Sequence, residues 1–263
     1  MGILELFYAT LAAIGGFVLR FCRLTGRVSF FTSRSVLGIF KPPYYWAQIK
    51  RQFLDIGYYS LPVVGLTAIF VGAALALQSY SGFSRFSAES SIPMVTALAI
   101  VRELGPVLGS LMVAGRVSAS IAAEIGTMRV TEQIYALQTL STSPFQYLMA
   151  PRILAATLMM PVLVGVADII GIYGGYLVCT LKLGFNPGAY LNNTFNFIQV
   201  MDVVSGLIKA AVFGFIIALM GCYHGYHSRG GAAGVGAATT YAVVSSSILI
   251  LLFNYILTEA FFI

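Results

Sequence analysis

Apolar positions in this chain come in long unbroken runs rather than in alternation. Residues 56 to 84 and 230 to 258 contain no Asp, Glu, Lys or Arg, and each run exceeds the roughly 20 residues a helix needs to cross about 30 Å of hydrocarbon. Three further stretches keep this character around isolated charges: 90 to 123 with Arg102, Glu103 and Arg116, 153 to 181 with Asp168, and 203 to 228 with Lys209. The pattern predicts five transmembrane helices. A sixth run, residues 6 to 19, is too short to span comfortably and is followed by Arg20, Arg23 and Arg27. It reads as an interfacial helix, since a signal peptide carries its positive charge before the apolar run and not after it. Leu6 also stands where a myristoylation motif takes Ser or Thr.

Composition agrees. Of 263 residues 59% are hydrophobic and 9% charged, against about 25% charged in soluble domains. The fold class expected is an all-α integral membrane protein, with residues 1–50 forming an amphipathic interfacial helix and connector and residues 51–263 a five-helix membrane domain. The net charge of +6 reports topology. Seven basic residues precede the first span, and Arg116, Arg129 and Arg152 surround the second connection. The positive-inside rule then places the N-terminus and the 116–152 segment in the cytoplasm and the C-terminus outside. No clustered soluble basic face exists for nucleic acid.

Residues 41 to 51 combine Pro42 and Pro43 with aromatic and basic side chains suited to the headgroup layer, and should turn the interfacial helix into span one. Span two is dense in small residues, which allow close helix approach. The G-x-x-x-G pairs at 105 and 109, 171 and 175, 221 and 225, and 230 and 234 are read as ordinary packing positions. In the connection from 124 to 152 a short helix is predicted over about 131–141. Thr131 would cap it, Glu132 would sit at the positive end of its dipole, and Ile134, Leu137 and Leu140 would recur at about one turn. Held parallel to the membrane, such a helix is a natural docking lug for a cytoplasmic partner.

Several chemistries are missing. No Lys follows a Gly, so the chain has no Walker A phosphate loop. There is no G-x-S-x-G elbow and no H-E-x-x-H, and the carboxylates are scattered. His224 and His227 have a spacing that could serve a metal but lack a third ligand nearby, so interfacial histidines are the preferred reading and no metal site is expected. Cys22, Cys179 and Cys222 match no C-x-x-C pattern and read as small apolar fillers.

The intramembrane charges are the informative residues. A charged side chain at the bilayer centre costs roughly 2.5–3.5 kcal/mol on insertion scales, so it faces a partner helix, a cavity or a substrate. Arg102 and Glu103 are adjacent and point about 100° apart on a helix, so each needs its own partner. Asp202 and Lys209 lie two turns apart on one face, and Glu103 and Lys209 are expected to approach each other or to line a cavity together near mid-membrane. Around Asp168 on span three, Gly165, Gly171, Gly174 and Gly175 could simply allow local hydration.

Arg102-Glu103-Leu104-Gly105-Pro106, then Ala114-Gly115-Arg116, then the run from Ala123 to Gln133 (AEIGTMRVTEQ) resemble the MlaE/YrbE permease family. The likeness extends from about Tyr58 to the C-terminus. It implies the non-catalytic membrane subunit of an ABC transporter in a bacterial inner membrane, moving phospholipid or a related lipid and so maintaining outer-membrane asymmetry. It further implies a homodimer, two cytoplasmic ATPase subunits that use ATP and Mg while this chain binds no cofactor, a hexameric MCE-domain protein outside, and a small STAS-domain protein. On this resemblance Arg102, Glu103, Asp202 and Lys209 fall on charged cavity positions, and Leu75, Phe83, Leu104 and Phe86 on a lipid-contact region. Glu124, Arg129, Thr131, Glu132, Ile134, Leu137 and Leu140 become candidates for ATPase coupling. The rival reading is an ion-coupled secondary transporter using Asp168, Asp202 and Lys209 as a relay; it would favour inverted repeats, and none is found.

Overall fold

A computed structural model describes residues 3–262. The fold is all-α, with no strand among the described residues. Helix α1 (Ile3–Phe40) leads through a short break to α2 (Trp46–Ile56), which straddles the expected boundary near residue 50, and a tight turn joins α2 to α3 (Leu61–Phe83). Span two is a composite rod: α4 (Ile92–Ala99), a π-helical turn (Ile100–Leu104), α5 (Gly105–Val113), a second π-helical turn (Ala114–Ser118) and α6 (Ala119–Val130). After the short α7 (Gln133–Thr139) come α8 (Ala150–Leu181), the outlying α9 (Pro187–Phe197), α10 (Val200–Tyr226) and α11 (Gly231–Phe262). Five helical segments are long and apolar enough to cross a membrane, at the five places the sequence predicts.

Helix α1 is longer than its apolar run. Arginine is a good helix former, so Arg20, Arg23 and Arg27 end the greasy stretch without ending the helix, which stops only before Pro42 and Pro43. Among its described side chains, those toward the far end of α1 join the core. Phe31 is buried and meets Phe145 and Tyr223 edge-on, with ring centroids 5.4 Å and 5.5 Å apart.

Helix α10 is the axis of the bundle, the most enclosed of the five spans, whereas spans one and five are the least enclosed. Around it Val113, Ile121, Met160, Leu163, Phe213 and Ile217 form the continuous core. Close approach of backbones makes this geometry. A Cβ at Gly72 of α3 would overlap the carbonyl of Gly171 on α8, and one at Gly206 of α10 would overlap the carbonyl of Val101 on span two. Of the G-x-x-x-G positions, Gly171, Gly221 and Gly225 do sit at tight helix crossings, while a Cβ on Gly109 would meet only ordinary contact. Periodicity gave no reason to single out Gly72 or Gly206.

Candidate functional site

The first π-helical turn sets the site. Such a turn takes an extra residue and shifts where the following side chains point, and this one carries both Arg102 and Glu103. Their partners on α10, Asp202 and Lys209, are separated by about 10.5 Å of helix at 1.5 Å per residue, so the two neighbours engage different levels of the same face. Arg102 holds Asp202 Oδ1 from Nε at 2.7 Å and from Nη2 at 2.5 Å. The other oxygen of Asp202 accepts the Gln199 backbone N–H at 3.0 Å, closing a capping box at the start of α10. The guanidinium also lies 4.0 Å above the Phe262 ring.

Glu103 and Lys209 form the second pair, 2.7 Å apart. Lys209 is fully buried, and its three protons have three acceptors: Glu103 Oε1, the Arg102 carbonyl at 2.9 Å and Thr258 Oγ1 at 2.8 Å. Glu103 Oε2 accepts from Asn254 Nδ2 at 2.7 Å. Each charge therefore has its own partner, as the adjacency of Arg102 and Glu103 requires. Lys209 has no donor left for anything outside the protein, so it braces the wall, and Arg102, with 31% of its side chain exposed, is the cation that still reaches open space. Asn254, Thr258 and Phe262 complete the network from α11. Sequence reasoning missed them because uncharged polar and aromatic residues in a terminal span carry no signal of their own.

The apolar candidates are dispersed. Leu104 lines a narrow recess of about 20 Å³ with Val64, Ile100, Leu108, Gly109 and Gly171, between spans one, two and three. Phe83 packs on a satellite cluster of Ala76, Ile92, Cys179 and Tyr190. Leu75 is half-buried, and Phe86 is 82% exposed beyond the end of α3. Asp168 is buried on α8 against Gly105, and its Oδ1 has no hydrogen-bond partner among the described residues.

Comparison with known proteins decides what this bundle belongs to. The family described as Permease MlaE matches residues 49–260. The chain is a member of the MlaE permease family. It is 59% identical over 250 residues to the "Probable ABC transporter permease protein" of Rickettsia felis, covering 95% of this chain and 96% of that one. It is 34% identical over 253 residues to the "Intermembrane phospholipid transport system permease protein MlaE" of Haemophilus influenzae, covering 96% and 97%. With "Protein TRIGALACTOSYLDIACYLGLYCEROL 1, chloroplastic" of Arabidopsis thaliana it shares 38% over 227 residues, 86% of this chain and 65% of that one. This is a multi-pass membrane permease of the ABC transporter class, a transport subunit and not a catalytic enzyme.

The opposite end of the permease carries the coupling candidates, and there the structure corrects two details. Helix α7 begins at Gln133, so Thr131 does not cap it; its hydroxyl bonds back to the Thr127 carbonyl at 2.9 Å and finishes α6. Glu132 is the N-cap in a left-handed conformation, φ 61°, with no side-chain cap bond. The expected apolar stripe also divides. Ile134 is fully buried and Leu137 half-buried against the permease core, whereas Leu140 is 75% exposed beside Tyr135 at 48%. Of the upstream candidates, Glu124 pairs with the buried Arg152 at 2.8 Å, and Arg129 stacks over Tyr135 at 4.5 Å and Tyr226 at 5.2 Å. His224 bonds Ser245 Oγ at 3.0 Å and His227 the Tyr223 carbonyl at 2.8 Å, within an aromatic cluster. Cys179 and Cys222 are buried, as fillers should be, while Cys22 is exposed on α1.

Proposed function

We propose that the permease, as a homodimer in a bacterial inner membrane with its N-terminus cytoplasmic and C-terminus periplasmic, forms the path by which phospholipid passes between that membrane and an MCE-domain hexamer outside. Two cytoplasmic ATPase subunits, joined by a STAS-domain protein, would drive it through α7, and maintenance of outer-membrane lipid asymmetry would follow. The observation that carries this reading is the state of Arg102: a guanidinium within a membrane span, braced by Asp202 and Phe262 yet still part-exposed. An amphiphile with acyl chains and a phosphate needs an apolar chamber with such a charge in its wall. The name of the Haemophilus relative supports the same cargo. Asp202 is tied to Arg102 and Lys209 to Glu103, and neither is linked to Asp168 among the described residues, which counts against a proton relay through the three.

The test is transfer of fluorescent phospholipid from vesicles holding the permease and its ATPase to purified MCE acceptor. Arg102→Ala should reduce ATP-dependent transfer at least tenfold while assembly persists. Full transfer by that variant, or transfer driven by an ion gradient without nucleotide, would overturn the proposal.

A further inference from the structure

A second polar site lies at the α7 end of the permease, well away from the Arg102 network. Between α2 and the lower part of span two is an open cleft of about 270 Å³, lined by Arg51, Gln52, Asp55, Arg116, Ser120 and Glu124. Exposed Trp46, Tyr58 and Tyr59 flank α2 and mark the level of the lipid headgroups, where amphipathic aromatic rings collect.

Two side chains in the cleft are placed for a ligand. Arg116 is held rigidly by one nitrogen: Nη1 donates to the Asp55 carbonyl at 3.0 Å and to Ser60 Oγ at 2.7 Å. Its Nε and Nη2 carry three further N–H groups with no acceptor among the described residues, a pre-aimed fork of the kind that meets phosphate oxygens. Gln52 lines the cleft, and its amide has no hydrogen-bond partner among the described residues. Open to the cleft, that amide is free to donate to a phosphate oxygen. The acidic side is equally specific. Glu124 is neutralised by Arg152, but Asp55 has only a loose, exposed contact with Arg51 at 3.7 Å, leaving its carboxylate available to a cation.

We propose that this cleft binds the headgroup of a zwitterionic lipid of the phosphatidylethanolamine type, its phosphate on Arg116 and Gln52 and its primary ammonium on Asp55. The lipid would be held in the leaflet next to α7, separate from any cargo at Arg102. An anionic glycerol headgroup offers Asp55 hydroxyls but no positive charge, so the site selects by charge pattern.

The experiment uses the full chain, reconstituted in vesicles of phosphatidylglycerol with or without phosphatidylethanolamine, re-extracted in mild detergent, with retained lipid quantified by mass spectrometry. Gln52→Leu and Arg116→Lys should each lower retained phosphatidylethanolamine about tenfold, because a hydrogen bond to a charged group is worth about 1.5–3 kcal/mol and 1.4 kcal/mol is tenfold. Asp55→Asn, which leaves the Arg116 bonds to backbone and Ser60 intact, should abolish the preference over phosphatidylglycerol without abolishing lipid retention. Unaltered phosphatidylethanolamine retention in Gln52→Leu and Arg116→Lys, or an unchanged preference over phosphatidylglycerol in Asp55→Asn, would overturn the proposal. Binding of soluble phosphoethanolamine with no retained lipid would assign the cleft to a free metabolite and overturn it equally.

Discussion

Removing Glu103's charge should cost more than removing Lys209's, and neither loss should be independent of the other. In Glu103→Gln the Lys209 ammonium stays at zero exposure with neutral acceptors only, the Arg102 carbonyl and Thr258. Stranding a buried charge in this way costs about 3–5 kcal/mol. In Lys209→Met the stranded group is the Glu103 carboxylate, which keeps Asn254 and Thr258 as donors and has 37% of its side chain exposed, so its cost falls at the low end, about 3 kcal/mol or less. With a chain of this size losing roughly 2–4 °C per kcal/mol, Glu103→Gln should melt about 10 °C lower in detergent, and Lys209→Met by roughly half of that. The double variant, having no orphan, should recover much of the loss, a coupling on the order of 2 kcal/mol in a double-mutant cycle. Scanning fluorimetry on the four purified forms measures this. Additive shifts, or a larger drop for Lys209→Met than for Glu103→Gln, would refute the assignment of Lys209 as the more deeply enclosed partner.

Other outcomes follow from the same geometry. Gly72→Leu drives a side chain into the Gly171 carbonyl and should lower stability by about 1–3 kcal/mol or more, read as loss of monodisperse protein in size-exclusion chromatography. Tyr135→Ala with Leu140→Asp should weaken ATPase co-purification at least tenfold with the melting temperature unchanged, whereas Ile134→Ala, inside the fold, should cost about 2–5 kcal/mol of stability. Asp168→Asn breaks no ion pair or hydrogen bond, so its melting temperature should equal or exceed that of the wild type; a clear drop would reveal a partner for that carboxylate. Phe262→Ala, losing a ring 4.0 Å from the Arg102 guanidinium, should cost about 0.5–2 kcal/mol and slow lipid transfer without affecting assembly.

Much of this was legible in the chain. Long uncharged runs locate spans because the bilayer penalises charge wherever it falls, and the adjacency of Arg102 and Glu103 forbids mutual neutralisation whatever the fold. That reasoning brought Glu103 to Lys209 and required a separate partner for Arg102, which the structure supplies as Asp202. It could not find the π-helical turn that aims them, since hydrophobic periodicity assumes a regular helix, nor Asn254 and Thr258, whose role exists only because Glu103 is opposite. Hydropathy reports burial and not helicity, so the apolar run alone does not show that α1 continues through its arginines to Phe40. At α7, one-turn spacing put Leu140 with Ile134 and Leu137, but the helix ends at Thr139, and Leu140 just beyond it turns outward.

Only Thr131 and Glu132 separate α7 from the rod of span two, and Glu132 is fixed in a left-handed twist that few residues adopt readily. From Val130 up to Glu103 the rod runs about 40 Å at 1.5 Å per residue, with no intervening loop. A push received at the bottom is thus delivered, as through a piston, to the charged latch against α10 and α11, and the two widened turns along the way are where its stroke can bend.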